Sequence, residues 1–139
     1  MDDNSNLAGW ILDQAADAVI FADRSGTIRR WSGAAAALFG FPAEEALGHS
    51  LDIIIPEHLR PAHWRGFDAA MSNVALKLQG RPTLTRGLHK SGRKLYVEMT
   101  FALVTSGGAA LGSVAVARDV TERVERERVA KAQRGTAAA

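Results

Sequence analysis

Leu95, Val97, Met99, Phe101 and Leu103 alternate with Tyr96, Glu98, Thr100 and Ala102. This is the cleanest two-residue period in the chain, and it sends one set of side chains to each face of a β-strand. Such a strand needs a covered face and hydrogen-bonded neighbours, so it commits this half of the chain to a sheet. Turn residues delimit the neighbours: Lys90-Ser91-Gly92 before it and Ser106-Gly107-Gly108 after it. Residues 82–89 and 111–118 then read as flanking strands. In the first half, residues 18–22 read as a buried strand, Asp23-Arg24-Ser25-Gly26 as a turn, and residues 27–31 as its hairpin partner. Between the strand groups lie short helices. Ser32 is placed to cap an alanine-rich helix from Gly33 to Phe39 that Gly40 ends, and residues 42–48 give one more helical turn. Residues 51–55 are a short apolar segment running into Pro56. The fold class is α+β: a five-stranded antiparallel sheet with short helices over one face.

The 139 residues make one domain with short tails, and 47% of them are apolar, enough for a core. Residues 1–6 are expected to be disordered. Residues 7–16 form an amphipathic cap helix carrying Leu7, Trp10 and Ile11 on one face, and the domain runs over 7–120. Residues 121–134 are a charged helix, and 135–139 a frayed tail. The net charge of +2 gives no nucleic-acid footprint. The absence of cysteine removes disulfides, thiolate metal sites and thiol nucleophiles, and fits a reducing compartment. No apolar run approaches the ~20 residues that cross a bilayer, and Met1-Asp2-Asp3 is unlike a secretory signal. The expectation is a cytoplasmic protein without membrane partners. No glycine-rich phosphate loop, nucleophile elbow or paired-carboxylate cleft is present, so no enzyme is expected.

One side chain stands out. If a helix restarts at Pro61 and runs to about Asn73, then His63, Phe67, Ala70, Met71 and Val74 share a stripe with an imidazole at its head. An imidazole in an apolar pocket can ligate a metal or haem iron, or it can be a core histidine with a backbone partner. His49, His58 and His89 share no zinc-ligand spacing with it. Trp64 could lie against a porphyrin edge or cap the helix at the surface, and the surface is the expectation.

The order of these pieces resembles the PAS domain family over roughly residues 8–125. Ala18-Val19-Ile20 with Gly26-Thr27-Ile28 is similar to the family's opening hairpin, and residues 35–41 with Glu44-Glu45 and Gly48 to its small-helix segment. Lys90-Ser91-Gly92-Arg93 resembles the hairpin before its long strand. Arg118-Asp119-Val120-Thr121-Glu122-Arg123 resembles the Asp-x-Thr exit to a signalling helix. Ser32 departs from the family's frequent asparagine. The resemblance implies a sensory and dimerising module, here a homodimer through the N-terminal helix and the sheet. An effector domain or partner signalling protein, as in two-component systems, would carry the output.

Within the family, residues 55–63 resemble the segment of haem-binding gas sensors that supplies the proximal histidine, and His63 is the matching position. The resemblance therefore implies haem b, with His63 as iron ligand and Phe67 and Met71 beside it. It implies Arg81 and Thr83 at the distal side, Met99 and Phe101 as the distal wall, and Val114 and Val116 deeper in. Thr83 stands where the oxygen sensors have arginine; Arg81, or Arg86 in a shifted register, could substitute. A flavin-photosensing variant is excluded by the lack of a cysteine near 32–38. The alternative is a cofactor-free PAS dimerisation domain, holding at most a small metabolite.

Overall fold

The computed structural model describes residues 3–76 and 80–138. Helix α1 (Asp3–Gln14) leads into the hairpin β1 (Ala18–Asp23) and β2 (Ile28–Trp31). Helices α2 (Gly33–Phe39) and α3 (Ala43–Ala46), two 3-10 turns (Leu51–Ile54 and Glu57–Leu59) and α4 (Arg60–Asn73) follow. Strands β3 (Thr83–Leu88), β4 (Lys94–Ser106) and β5 (Ala109–Asp119) precede helix α5 (Thr121–Ala138). The sheet is antiparallel, in the order β2-β1-β5-β4-β3. Helix α1 begins at Asp3, within the stretch read as disordered, and α5 continues to Ala138. Residues 1, 2 and 139, parts of the expected tails, lie outside the described residues.

Pairing across the sheet aligns rows of side chains. On the inner face one row is Trp31, Ile20, Ala115 and Phe101, and the next is Ala18, Ala117, Met99 and Thr83. On the outer face Val19 lies beside Val116 and Thr100, and Phe21 beside Val114 and Ala102. The inner rows, with Phe39, Ile54, Phe67 and Met71 from the helices, form the core. The Trp31 and Phe39 rings pack at 5.7 Å with their planes tilted by 42°, and the Trp31 indole N–H donates to the Phe41 carbonyl at 2.8 Å. That bond allows a buried indole without an unmet donor.

Three local devices close the helical side onto the sheet. Ser32 is buried, and its Oγ accepts from Ala35 N (3.2 Å), capping α2, and from Val19 N (2.9 Å) across to β1. Serine thus makes a side-chain link in the place where the family often has asparagine. At the far end of α2, Gly40 is left-handed (φ 84°), and the His89 ring sits where a Cβ would be, 2.6 Å away. Lys90 N then donates to the Phe39 carbonyl, and Lys90 Nζ reaches Glu45 at 2.6 Å, so the β3–β4 hairpin clasps α2 and α3.

Leu84 faces outward and is 54% exposed. Helix α1 does not cover it, because α1 is tied to the opposite edge of the sheet by Asp13, which accepts from Arg30 of β2 at 3.1 Å. Leu7, Trp10 and Ile11 point away from that attachment and are 49%, 57% and 59% exposed.

Ser32→Ala removes the cap of α2 and strands the Val19 amide in the core. The expected loss is about 2 kcal/mol in urea unfolding with an unchanged m-value, whereas a loss under about 0.5 kcal/mol would mean the two bonds are dispensable.

Candidate functional site

Helix α4 starts where its sequence can tolerate it. Proline sits in the first turn, where an N–H has no intrahelical partner. Arg60 donates through Nε to the Ile55 carbonyl (3.0 Å) and through Nη2 to the Asp52 carbonyl (3.1 Å), fixing the first turn on the preceding 3-10 turn. The stripe read from the sequence then faces the sheet, with Phe67, Ala70 and Met71 buried. Val74 leaves the stripe, because it is the left-handed C-cap (φ 50°) and is exposed.

His63 is half-buried among aromatic rings. Its ring stacks on Phe67 at 5.9 Å and 30°, and meets Trp64 edge-on at 4.6 Å and 82°. Its Nδ1 is buried and has no hydrogen-bond partner among the described residues. Burial holds its pKa below the ordinary histidine value of 6.5, with the Asp52 and Asp68 carboxylates opposing the shift. The ring is therefore neutral at neutral pH, the form that ligates metals.

Trp64 does not cap the helix at the surface. Its indole N–H donates to Asp52 Oδ1 at 2.7 Å, and its six-membered ring lies on Gly26 of the β1–β2 turn. A Cβ on Gly26 would stand 2.2 Å from Trp64 Cη2, so this turn admits only glycine against the indole.

The other expected site residues divide between the two faces. Met99 is buried on the inner face, Phe101 is partly buried beside it, and Thr83 pairs with Met99 from β3. Arg81 is exposed ahead of β3, and its carbonyl accepts from Thr83 Oγ1 at 3.4 Å. Arg86 lies on the outer face, 6.0 Å over the Tyr96 ring. Val114 and Val116 are not deep in the site. They occupy the outer face, where Val116 is 37% exposed, and the inner positions of β5 belong to Ala115 and Ala117. A hollow of about 220 Å³ touches Met99, Val116, Asp17 and Arg118, away from His63. Between α4 and the sheet the space is taken by Phe67, Met71 and Met99. Among the described residues there is no cluster of three metal-ligating side chains, and no helix is long and apolar enough to cross a membrane.

The exit from the domain is a second constellation, on the back of β4. Tyr96 N donates to Thr121 Oγ1 (2.9 Å), Val120 N donates to the Tyr96 carbonyl (2.8 Å), and Thr121 N donates to Asp119 Oδ1 (2.9 Å). Arg128 of α5 stacks over the Tyr96 ring at 4.8 Å and donates to its hydroxyl. Arg123 stands 3.6 Å from Glu98, and Val124 is buried. Sequence reasoning identified the Asp-x-Thr segment but not Tyr96. The available signal was a tyrosine on the solvent phase of the alternating strand.

Comparison with known proteins agrees with this architecture. The chain is 30% identical over 112 residues to Sensor protein FixL of Bradyrhizobium diazoefficiens, covering 81% of this chain and 22% of that protein. It is 26% identical over 103 residues to Oxygen sensor protein DosP of Escherichia coli, covering 74% of this chain and 12% of that one. The chain thus spans less than a quarter of the length of these relatives. The PAS domain of a Colwellia psychrerythraea protein superposes with a TM-score of 0.74 at 21% identity, over 87% of this chain and 99% of that one. The family model for the PAS fold matches residues 12–125. This chain is a member of the PAS family.

Proposed function

We propose that this sensory PAS module binds haem b through His63 and responds to a diatomic gas or to redox state, without being an enzyme itself. The observation that carries the reading is the buried, unpartnered Nδ1 of a neutral imidazole on the inner face of α4. A buried nitrogen without a partner costs free energy, and a ligand or a displacing group relieves that cost. The similarity to an oxygen sensor and to a second sensor protein supports the same reading.

The side-chain chemistry suits such a group, which would have to displace Phe67, Met71 and Met99 from the layer they fill. His63 offers a neutral nitrogen. Phe67, Met71, Met99 and Phe101 supply an apolar, water-excluding wall. Met71 and Met99 are unbranched and adaptable, so they can repack to admit a flat ring system. Thr83 offers a hydroxyl on the facing strand, and Arg81 stands exposed before that strand, suited to an acidic substituent. When bound, haem iron would supply an open coordination position for a small ligand. The output would lie on an effector domain or partner signalling protein, in keeping with the greater length of the relatives. A cytoplasmic setting is consistent with a chain that has no cysteine.

The exposed stripe of α1 supports a homodimer. Leu7, Trp10 and Ile11 face away from their own sheet, and a second copy presents Leu84 and Val116 on its outer face. Covering each large side chain is worth roughly 1–2 kcal/mol. This dimer also suits the cofactor-free alternative, since it needs nothing at His63.

Purified chain mixed with hemin is expected to give a sharp Soret band that His63→Ala abolishes; a spectrum identical to free hemin, or an unchanged mutant, ends the haem reading. The apo chain carries a pH signature. The folded state binds a proton less readily than the unfolded state, so stability should fall as pH drops through and below 6.5. His63→Phe should flatten that decline in thermal melts, and an equal slope in both proteins would show that the imidazole is not held neutral by the fold. Replacing Trp10 and Ile11 together by glutamate should halve the mass measured by light scattering. A mass unaffected by both changes assigns the dimer surface elsewhere.

A further inference from the structure

The indole of Trp64 touches more separate segments than its position beside His63 requires. Asp52 of the first 3-10 turn accepts from it, Gly26 of the β1–β2 turn lies under it, and the rings of His63 and Phe67 meet it at 4.6 and 5.3 Å. Each contact is separately held. Ser50 Oγ accepts from Asp52 N at 3.1 Å, and Arg60 donates to the Asp52 carbonyl. The Gly26 carbonyl accepts from Leu51 N at 3.0 Å, and Thr27 pairs with Ser50 in an antiparallel bridge. The indole is thus wedged between two fixed walls, while the imidazole beside it makes no hydrogen bond through its buried nitrogen.

A ligating imidazole normally has its plane set by a hydrogen bond from its second nitrogen to a protein group. Neither nitrogen of His63 makes a hydrogen bond among the described residues, so whichever one ligates, the other leaves the plane of the ring unset. We propose that Trp64 is the positioning residue for His63: its edge fixes the plane of the imidazole, and its own place is fixed by Asp52 and Gly26, so that the ligand helix and the β1–β2 turn move together. This inference rests on the reading of His63 as the ligand residue and adds the element that orients it. Asp52 acts on His63 through the indole as well as directly through its charge, and Gly26 acts by leaving room for the indole. The hairpin that carries Gly26 also carries Arg30, which holds Asp13 of α1. The lever therefore connects His63 with the helix whose apolar stripe is unpaired.

The test reads the ring in the apo chain, so it does not depend on haem. At about pH 8 the imidazole is neutral in every variant. NMR then follows the His63 Cε1–H resonance and the solvent exchange of the Trp64 indole N–H. Asp52→Ala should speed indole exchange at least tenfold, and should shift and broaden the His63 resonance although residue 63 itself is untouched. Asp52→Asn keeps an acceptor oxygen for the indole and should restore both to near wild-type. Hemin affinity should fall about tenfold in Asp52→Ala and much less in Asp52→Asn, the range found when a supporting contact behind a metal ligand is removed. If Asp52→Ala frees the indole while the His63 resonance stays sharp and unmoved, Trp64 is packing only and the proposal is overturned. If the wild-type chain gives no Soret band but the resonances behave as stated, haem binding is removed and the positioning of His63 by Trp64 is supported.

Discussion

The pairing of β4 on both sides governs everything else in this domain. Thirteen residues long, it is bonded to β3 along one edge and to β5 along the other. A strand held on both edges cannot slip by one residue without exchanging its faces. Leu95, Val97 and Met99 must therefore look at the helices, and Tyr96 and Glu98 must look away. That choice spreads through the ladders. It turns Thr83 inward and Leu84 outward on β3, and it sets Ala115 and Ala117 inward on β5 with Val114 and Val116 behind them. The wall of the candidate site and the docking face of α5 are two sides of one decision about phase.

The second constraint is how α4 is brought to that wall. A helix of fourteen residues with a single strongly apolar stripe is weakly specified in rotation by burial alone. Its first turn supplies the missing specification. Arg60 grips two carbonyls of the segment before it, and Trp64 is pinned between a carboxylate and a glycine. With residues 60 and 64 fixed, the intervening His63 has little rotational freedom left, and its ring lies against Trp64 and Phe67 with Nδ1 buried. Desolvation there, more than any charge, keeps the ring neutral.

Much of this was legible in the sequence because local chemistry and long-range packing agree there. Ser32 reads as a cap and is one, Gly40 reads as a stop and adopts φ 84°, and the alternation in β4 carries its own phase. The stripe on α4 was likewise visible from its spacing. The phase of β5 was not. Its run Val114-Ala115-Val116-Ala117 is apolar on both faces, so a two-residue period gives no sign, and branched bulk suggested the wrong face. The inner face takes alanine because α4 packs against β5 and fills the layer with Phe67 and Met71. Trp64 was misplaced for a different reason. Its partners, Gly26 and Asp52, lie 38 and 12 residues away, and no local pattern links an indole to a distant turn. Sequence reasoning is good at faces and poor at wedges, since a wedge is defined by two surfaces that the chain assembles separately.

The same strand also explains why the exit from the domain sits where it does. Tyr96 is bracketed in sequence by Leu95 and Val97, both fully buried, while its own ring lies under Arg128 and its backbone holds Val120 and Thr121. Adjacent residues of a strand share a peptide plane, so displacement of one side chain's Cα carries its neighbour. A group that displaced Met99 would move the backbone of the adjacent Glu98, which stands 3.6 Å from Arg123 of α5 on the other side of the sheet. The first turn of α5 is poorly placed to ignore this. Val120 and Val124 are buried and hold it to the core, whereas residues 129–135 are largely exposed. A helix anchored at one end only converts a small shift at the anchor into a large one at its tip.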